Sequence, residues 1–281
     1  MATISLPLRL ARSRSPLPGF GISFGFTTLY LIAVVLIPLA ALLIRPLDLG
    51  LDGFWRVVSA PRVLAALKLS FGAAAAAAAV NSVFGFVLAW VLTRYRFRGD
   101  GLVNALVDLP FALPTAVAGI ALSALYANGG WIGGPLARAG LTVAFTPWGV
   151  VVALIFIGLP FVVRTLEPVL ADLSRESEEA AATLGASRLQ TFLWVVVPAL
   201  APTVISGSAM AFARAVGEYG SVIFIAGNLP RRSEIAPLLI VVKLQEYDYA
   251  GAAAIGVVML GASFVFLLAL NGVRGVMGRR R

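Results

Sequence analysis

The sequence contains no cysteine and no histidine, and its only lysines are Lys68 and Lys243. These absences exclude disulfides, Cys/His zinc sites, haem ligation by histidine, thiol nucleophiles and Ser-His-Asp catalysis. A phosphate-binding P-loop requires Gly-Lys followed by Ser or Thr, and neither lysine follows a glycine. The chain therefore cannot be a P-loop ATPase itself. We expect it to be a non-enzymatic protein that holds no metal ion or cofactor of its own.

The sequence is also poor in charge and rich in apolar residues. Only 12% of its 281 residues are charged, whereas 60% are hydrophobic. Soluble domains carry about 25% charged and about 45–50% apolar residues, so a water-soluble fold could not bury this excess. The composition predicts an all-α integral membrane protein. The formal net charge of +9 is carried by arginines at the ends of apolar runs, which is typical of membrane orientation rather than of nucleic-acid binding.

Six apolar runs are candidates for crossing a bilayer, whose hydrocarbon core of about 30 Å needs about 20 residues of helix. The predicted spans are 26–44, 64–92, 102–127, 148–163, 202–226 and 250–273. The first run is longer than the core of a signal peptide, which has about 7–15 residues, and no clear cleavage site follows it. We therefore expect a retained first helix and six transmembrane helices.

The basic residues favour an orientation with both termini in the cytoplasm. The strongest part of this signal is one short loop with Arg94, Arg96 and Arg98. The predicted cytoplasmic side also carries Arg9, Arg12, Arg14, Arg164, Arg175, Arg188, Arg274, Arg279, Arg280 and Arg281. The predicted outer side carries Arg45, Arg56, Arg62, Lys68, Arg138, Arg231, Arg232 and Lys243. The longest polar segment, 167–190, is then cytoplasmic, and the loops around 45–63, 128–147 and 227–249 lie outside.

The predicted cytoplasmic segment contains a helix with an acidic start. Glu176, Glu178 and Glu179 lie where a helix N-terminus favours negative charge, and the three alanines that follow are strong helix formers. Gly185 can turn the chain or let another backbone come close. On composition alone, an ordinary interfacial helix between two spans explains this segment equally well.

The spacing of this segment resembles the EAA loop of ABC-transporter permease subunits. In that family Glu-Ala-Ala is followed after three residues by Gly and, nine residues later, by Ile-x-Leu-Pro. Here Glu179-Ala180-Ala181, Gly185 and Pro198 stand in register, with valines at the two aliphatic positions. In the family the loop forms a coupling helix that docks on a separate ATPase subunit. The resemblance therefore implies that Glu179, Ala180, Ala181 and Gly185 contact an ATPase.

Three further segments, 90–122, 217–228 and 244–255, resemble the T-type permease subunit of bacterial sulfate/thiosulfate transporters. The resemblance implies a type I ABC importer permease in a bacterial inner membrane. Its partners would be a homologous second permease subunit, two ATPase subunits that use ATP, a periplasmic substrate-binding protein and the lipid bilayer, with no nucleic acid. The molybdate and tungstate permeases share the loop, so they stay open as an alternative.

The resemblance also divides the chain into parts. Residues 1–63 would form an N-terminal cytoplasmic segment, the first transmembrane helix and an outer loop. Residues 64–273 would form the permease core with five transmembrane helices, including the coupling loop at about 171–200. Residues 274–281 would form a basic cytoplasmic tail.

Four residues within the predicted spans are candidates for the translocation path or its gating. Arg214 and Glu218 are four apart in the fifth span, hence on one helix face, and charges inside a bilayer usually face a bundle interior or a water-filled cavity. A self-neutralising pair that fixes helix packing is the alternative. Pro110 and Pro114, in the third span, each free a backbone carbonyl and predict either a kink that faces the path or a static bend.

Two other interpretations remain open from the sequence. An ion-coupled secondary transporter would use Glu218 as its proton carrier, because the chain has no histidine. The absence of clear inverted repeats counts against it. Arg231 and Arg232 in an outer loop could attract an anion, but such a pair is more often a solvated loop.

Overall fold

The structure, a computed structural model, describes residues 19–174 and 176–278, without the side chains of 273, 274 and 276–278. The predicted N-terminal cytoplasmic segment with Arg9, Arg12 and Arg14 falls within 1–18, outside the described residues. Arg175 also lies outside them. The same holds for the side chain of Arg274 and for the tail residues Arg279, Arg280 and Arg281.

The first compact unit extends to Ile44 and contains the first predicted span. It is formed by α1 (Phe20–Leu31), a π-helical turn (Ile32–Leu36) and α2 (Ile37–Ile44). Pro38 explains the π turn, because proline has no N–H to donate to the carbonyl of residue 34 and its ring clashes with that carbonyl. The backbone accommodates the proline by widening the preceding turn.

The second unit begins at Arg45 and contains the remaining helices. A 3₁₀ turn (Arg45–Leu49) leads into α3 (Gly50–Val58). The other helices are α4 (Pro61–Arg94), α5 (Asp100–Ala112), α6 (Thr115–Tyr126), α7 (Gly133–Arg138), α8 (Pro147–Asp172), α9 (Glu176–Thr183), α10 (Arg188–Thr191), α11 (Val197–Val216), α12 (Val222–Ile225), α13 (Ala236–Gln245) and α14 (Tyr249–Gly278). A second π turn, Phe192–Val196, joins α10 to α11 and again precedes a proline, Pro198, by two residues.

The helices confirm an all-α membrane protein with six spans, but the third span is not one helix. Five helical runs are long and apolar enough to cross a membrane: Phe20–Val58, Pro61–Arg94, Pro147–Asp172, Arg188–Val216 and Tyr249–Gly272. The sixth candidate is the pair α5 and α6, which bends by 116° at a short break. The bend predicted from Pro110 and Pro114 is therefore present, although it divides the run 102–127 into two helices instead of bending one.

Proline accounts for the break in the third span. Leu113 is extended, with φ −84° and ψ 134°, and Pro114 is the N-cap of α6 with φ −56° and ψ 133°. A proline disfavours helical backbone in the residue before it, so α5 ends just ahead of Pro114. Pro110, by contrast, lies inside α5. Hydropathy could not reveal this break, because the apolar run continues through it.

The centre of the second unit is the packing of α4, α8 and α11. Small residues allow their backbones to come close, as is typical of membrane helices. A Cβ atom built on Gly207 of α11 would be 3.1 Å from the Cα atom of Val162 on α8. Residues buried at these interfaces include Ala73, Ala74, Ala77, Ala89, Ala153, Val162, Val163, Leu200 and Ala211.

Polar contacts also lie inside this three-helix core. The side-chain amide of Asn81, which is fully buried, donates from Nδ2 to the carbonyl of Ile155 at 3.1 Å. The hydroxyls of Ser82 and Ser208 are 2.5 Å apart and join α4 to α11. Such bonds satisfy polar groups that water cannot reach in a membrane.

Long-range bonds assign the connecting segments to two ends of the bundle. At one end, called here the loop end, Arg94 bonds to Leu173 and Glu178. At the opposite end, the Arg62 guanidinium forms two bonds to the Glu234 carboxylate, of 2.8 and 2.6 Å. The segments 95–99, 173–174 and 176–187 therefore share the loop end, and 59–60 and 226–235 share the opposite end.

Candidate coupling loop and translocation residues

The segment identified from its spacing forms a short helix followed by a sharp turn. α9 ends at Thr183, and Gly185 adopts φ +84°, a left-handed conformation that glycine adopts without steric cost. The N–H groups of Gly185 and Ala186 donate to the carbonyls of Ala182 and Ala181, each at 3.0 Å. This pattern is a Schellman turn, which satisfies carbonyls at the end of a helix.

A capping box starts the next helix directly after that turn. The Gln190 N–H donates to the Ser187 hydroxyl at 3.3 Å, and the Ser187 N–H donates to the Gln190 side-chain oxygen at 2.8 Å. Two otherwise unpaired N–H groups are thereby satisfied. The local sequence therefore determines both the end of α9 and the start of α10, which fixes the shape of the loop between them.

The loop presents the predicted coupling residues on its surface. Glu179, Ala180 and Gly185 are exposed, and Ala181 is half-buried. Leu184 beside them is 89% exposed, and Trp194 just beyond α10 is 80% exposed. Sequence reasoning did not single out these two apolar side chains, although an exposed leucine next to the motif glycine could have been noticed. The surface combines small residues with apolar anchors.

Arg94, the last residue of α4, connects three elements at the loop end. Its Nη2 donates to the Leu173 carbonyl at 3.1 Å and to the Glu178 carboxylate at 2.9 Å. Its guanidinium carbon lies 5.4 Å from the ring centroid of Trp90. Only 12% of the Arg94 side chain is exposed. From the sequence, Arg94 indicated only the orientation of the chain in the membrane.

A second cluster of charged residues joins α5 to α8. The Arg164 guanidinium on α8 donates two bonds to the Asp108 carboxylate, of 2.8 and 2.7 Å. It also bonds to the Asn104 side-chain oxygen at 3.1 Å and to the Glu167 carboxylate at 2.5 Å. These bonds tie the half-helix before the break to α8. Within the described part of the chain, no group of three or more acidic side chains could hold a metal ion.

Arg214 and Glu218 are brought together, but not on one helix. α11 ends at Val216, and Glu218 lies in the turn that follows, so the prediction of a single helix face over 202–226 was wrong. Arg214 Nη1 still donates to Glu218 at 2.6 Å. The other oxygen of Glu218 accepts from the N–H and the hydroxyl of Ser221, at 2.8 and 3.0 Å. Glu218 is 3% exposed, whereas 36% of the Arg214 side chain is exposed.

The turn after α11 packs against the start of α6. A Cβ atom built on Gly220 would lie 2.1 Å from the Thr115 hydroxyl, and one built on Gly119 would lie 2.3 Å from the Ser221 carbonyl. The two glycines therefore allow backbone contact between these elements. The structure thus places Pro114 next to the turn that carries Glu218, while Pro110 lies one helical turn earlier, inside α5.

Charged residues at the opposite end form separate pairs. The Lys243 ammonium bonds to Asp248 at 2.9 Å, and this bond, together with the N–H of Gly251, holds the pKa of Asp248 below its ordinary value. Arg231 and Arg232 are exposed. The buried Glu234 beside them is bonded to Arg62, a pairing that the sequence did not indicate.

The fold and these features are those of a membrane-spanning transport subunit. The family model described as "Binding-protein-dependent transport system inner membrane component" matches residues 81–281. The chain belongs to this family of inner membrane transport components.

Curated relatives match nearly the whole chain. The sulfate transport system permease protein CysT of Salmonella typhimurium is 48% identical over 268 residues, which cover 95% of this chain and 97% of that protein. The protein of the same name from Synechococcus elongatus is 50% identical over 257 residues, 92% of each chain. These relatives confirm the resemblance to the sulfate transporter permease family.

Solved structures share the fold. A bacterial ABC transporter that imports alginate matches with a TM-score of 0.72 and 15% identity, over 90% of this chain and 95% of that chain. The same kind of transporter in complex with a periplasmic protein matches with a TM-score of 0.73 and 18% identity, over 90% and 92%. The predicted type I ABC importer permease architecture is thereby confirmed. The chain is a permease subunit of the ABC transporter family and is not itself an ATPase.

Proposed function

We propose that this chain is the permease subunit of an ATP-driven importer for sulfate or thiosulfate. The observation that carries this proposal is the identity of 47% or more to sulfate transport permeases over about nine-tenths or more of the chain. The complete importer would contain a homologous second permease subunit, two ATPase subunits and a periplasmic binding protein. The alginate transporter in complex with its periplasmic protein supports a partner of that last kind.

The coupling loop is the proposed contact with the ATPase. Glu179, Ala180, Ala181 and Gly185 would meet a groove of the partner, because small exposed side chains allow close docking. The Schellman turn and the capping box give this surface a defined shape. ATP binding by the partner would move the loop, and the connected spans would switch between inward-open and outward-open states.

Arg214, Glu218 and Pro114 form the proposed gating region of the path. The Glu218 carboxylate already accepts three hydrogen bonds, so it presents little free negative charge to an anion. Arg214 is partly exposed and can approach an oxyanion with donors other than Nη1. The break at Pro114 next to this turn supplies irregular backbone, which membrane proteins tolerate where it lines a cavity. Pro110 would shape the half-helix that leads to the break.

The proposed orientation places the loop end in the cytoplasm, with both termini on that side of the inner membrane. The arginines of the 94–98 segment at the loop end support it. Since the chain has no cysteine, single cysteines at Leu184 and Trp131 can be labelled selectively. An impermeant thiol reagent added to intact cells should label Trp131→Cys and not Leu184→Cys. The reverse pattern would contradict the proposed coupling.

Uptake assays test the substrate and the energy source. Vesicles that contain the assembled complex should accumulate labelled sulfate when ATP is supplied on the ATPase side. Unlabelled thiosulfate, molybdate and tungstate then rank the oxyanions by competition. Stronger competition by molybdate than by sulfate would favour the molybdate permease alternative. Uptake that follows a proton gradient without ATP would favour a secondary transporter.

A further inference from the structure

We propose that Arg94 is a positioning residue, which holds the coupling helix α9 against the end of α4 so that movement of α9 reaches the membrane spans. The inference rests on the proposed function of the loop. It concerns a residue outside the motif itself: Arg94 lies 84 residues before Glu178, its partner on α9.

Burial of its own residues does not hold α9 in place. None of its eight residues is buried, and an isolated helix shorter than about 12–15 residues is marginally stable in water. The Schellman turn and the capping box connect α9 to α10, but they are contacts along the chain. α9 also lies beside the π turn Phe192–Val196, and the Arg94–Glu178 pair is the side-chain bond that connects it to α4.

The geometry of Arg94 is that of a clamp rather than of an exposed ion pair. One nitrogen, Nη2, bonds both to Glu178 on α9 and to the carbonyl of Leu173, which follows α8. The exposed fractions of the two paired side chains are 12% for Arg94 and 28% for Glu178. Partial burial limits screening by water and salt, so this pair is stronger than a typical surface pair.

A chain of aromatic contacts extends from Arg94 to α11. The Arg94 guanidinium stacks over Trp90, and the Trp90 ring meets the Phe192 ring edge to face at 5.4 Å. Phe192 begins the π turn that leads into α11. Arg214 lies in the last turn of α11, and Glu218 follows its end at Val216. Displacement of α9 is thereby passed to α4 and to the base of α11 through packed groups.

The test compares Arg94→Gln and Glu178→Gln with Arg96→Gln in the purified complex. Arg96 is an exposed arginine of the same loop, so its variant makes the same charge change away from the clamp. The first readout is sulfate taken up per ATP hydrolysed in vesicles. We expect a fall of about tenfold for each clamp variant, because each removes a bond between charged groups. The ratio for Arg96→Gln should stay within about twofold of the wild type.

The second readout is the mobility of a spin label at Ser177→Cys, an exposed position on α9. The label should become more mobile in Arg94→Gln and Glu178→Gln and unchanged in Arg96→Gln. The double variant Arg94→Gln/Glu178→Gln should be no worse than either single variant, since both changes break one bond. Arg94→Lys, which keeps the charge, should recover part of the uptake ratio.

Several results would overturn this proposal. They are unchanged label mobility in both clamp variants, an uptake ratio equal to that of Arg96→Gln, or additive losses in the double variant. Loss of the ATPase subunit from the complex in Glu178→Gln would also overturn it, because the role would then be assembly. The label measurement does not depend on the anion carried, so a failure of the proposed substrate is distinguishable from a failure of the clamp.

Discussion

Replacing Glu218 with glutamine separates a role in transport from a role in packing. The change keeps the shape of the side chain but removes its charge and turns one acceptor into a donor. In the structure Glu218 accepts from Arg214 at 2.6 Å and from the N–H and hydroxyl of Ser221 at 2.8 and 3.0 Å. A glutamine cannot accept at both positions, so its amide N–H₂ must face either the Arg214 guanidinium or the Ser221 N–H.

The size of the effect follows from the burial of the two partners. Removing one partner of a buried ion pair costs about 3–5 kcal/mol. Arg214 is 36% exposed, so solvent partly screens the charge that is left behind. We therefore expect Glu218→Gln to reduce the stability of the subunit by about 2 kcal/mol, a loss that should leave membrane insertion intact. If about 1.4 kcal/mol of that loss raises the free-energy barrier of the slowest transport step, uptake falls about tenfold.

The assay measures ATP-driven sulfate uptake in vesicles and the thermal stability of the purified complex. Glu246→Gln is the matched control, because Glu246 is a half-exposed carboxylate at the opposite end of the bundle. The double variant Arg214→Gln/Glu218→Gln removes both charges and should recover stability. We expect it not to recover uptake, because the cation of the proposed gating region is then missing. Uptake at the wild-type rate in Glu218→Gln would remove this residue from the mechanism, and full recovery in the double variant would mean that the pair only packs.

Two further predictions concern the core and the opposite end. Gly158→Ala should destabilise the subunit by about 1–3 kcal/mol in thermal unfolding, because the added Cβ atom would lie 2.6 Å from the Asn81 amide nitrogen. Gly261→Ala is the control: its added Cβ atom would meet nothing within 4 Å, so it should not change the stability. The bond from Lys243 is the main cause of the lowered pKa of Asp248. The contribution of this carboxylate to stability is therefore complete above its ordinary pKa of 3.8 and is lost as the pH falls through the lower folded value. The stability difference between wild type and Asp248→Asn should therefore shrink toward zero below about pH 4, and a constant difference would contradict this assignment.

The sequence predicted features that depend on local order along the chain. Long apolar runs located the spans, and the spacing of Glu179, Gly185 and Pro198 located the proposed coupling loop. The capping box at Ser187 and the left-handed Gly185 are encoded within a few residues. Such signals can be recognised from one sequence because the interacting groups are neighbours.

Features that depend on the path of the chain in space could not be predicted from the order of residues. Pro110 and Pro114 predicted a bend in the third span, but hydropathy does not report backbone direction, so the 116° angle between two separate helices was not predicted. The apolar residues of α12 made the fifth span look longer than it is, although α11 ends at Val216. The Arg164–Asp108 and Arg94–Glu178 pairs join residues 56 and 84 positions apart, so only the packing of the helices reveals them.

Several arginines in the described helices of this subunit are already paired with carboxylates. Arginines at the ends of α4 and within α8 and α11 are each bonded to carboxylates, which offsets the cost of placing charge in or near a bilayer. A dianion meeting an uncompensated arginine would bind tightly and leave slowly, whereas transport requires binding weak enough for release. Because Glu218 accepts a bond from Arg214, it weakens the attraction between this arginine and an anion, while the other N–H donors of Arg214 stay free. In the proposed gating region, a half-compensated arginine beside a broken helix is therefore better suited to passing an oxyanion onward than to storing it.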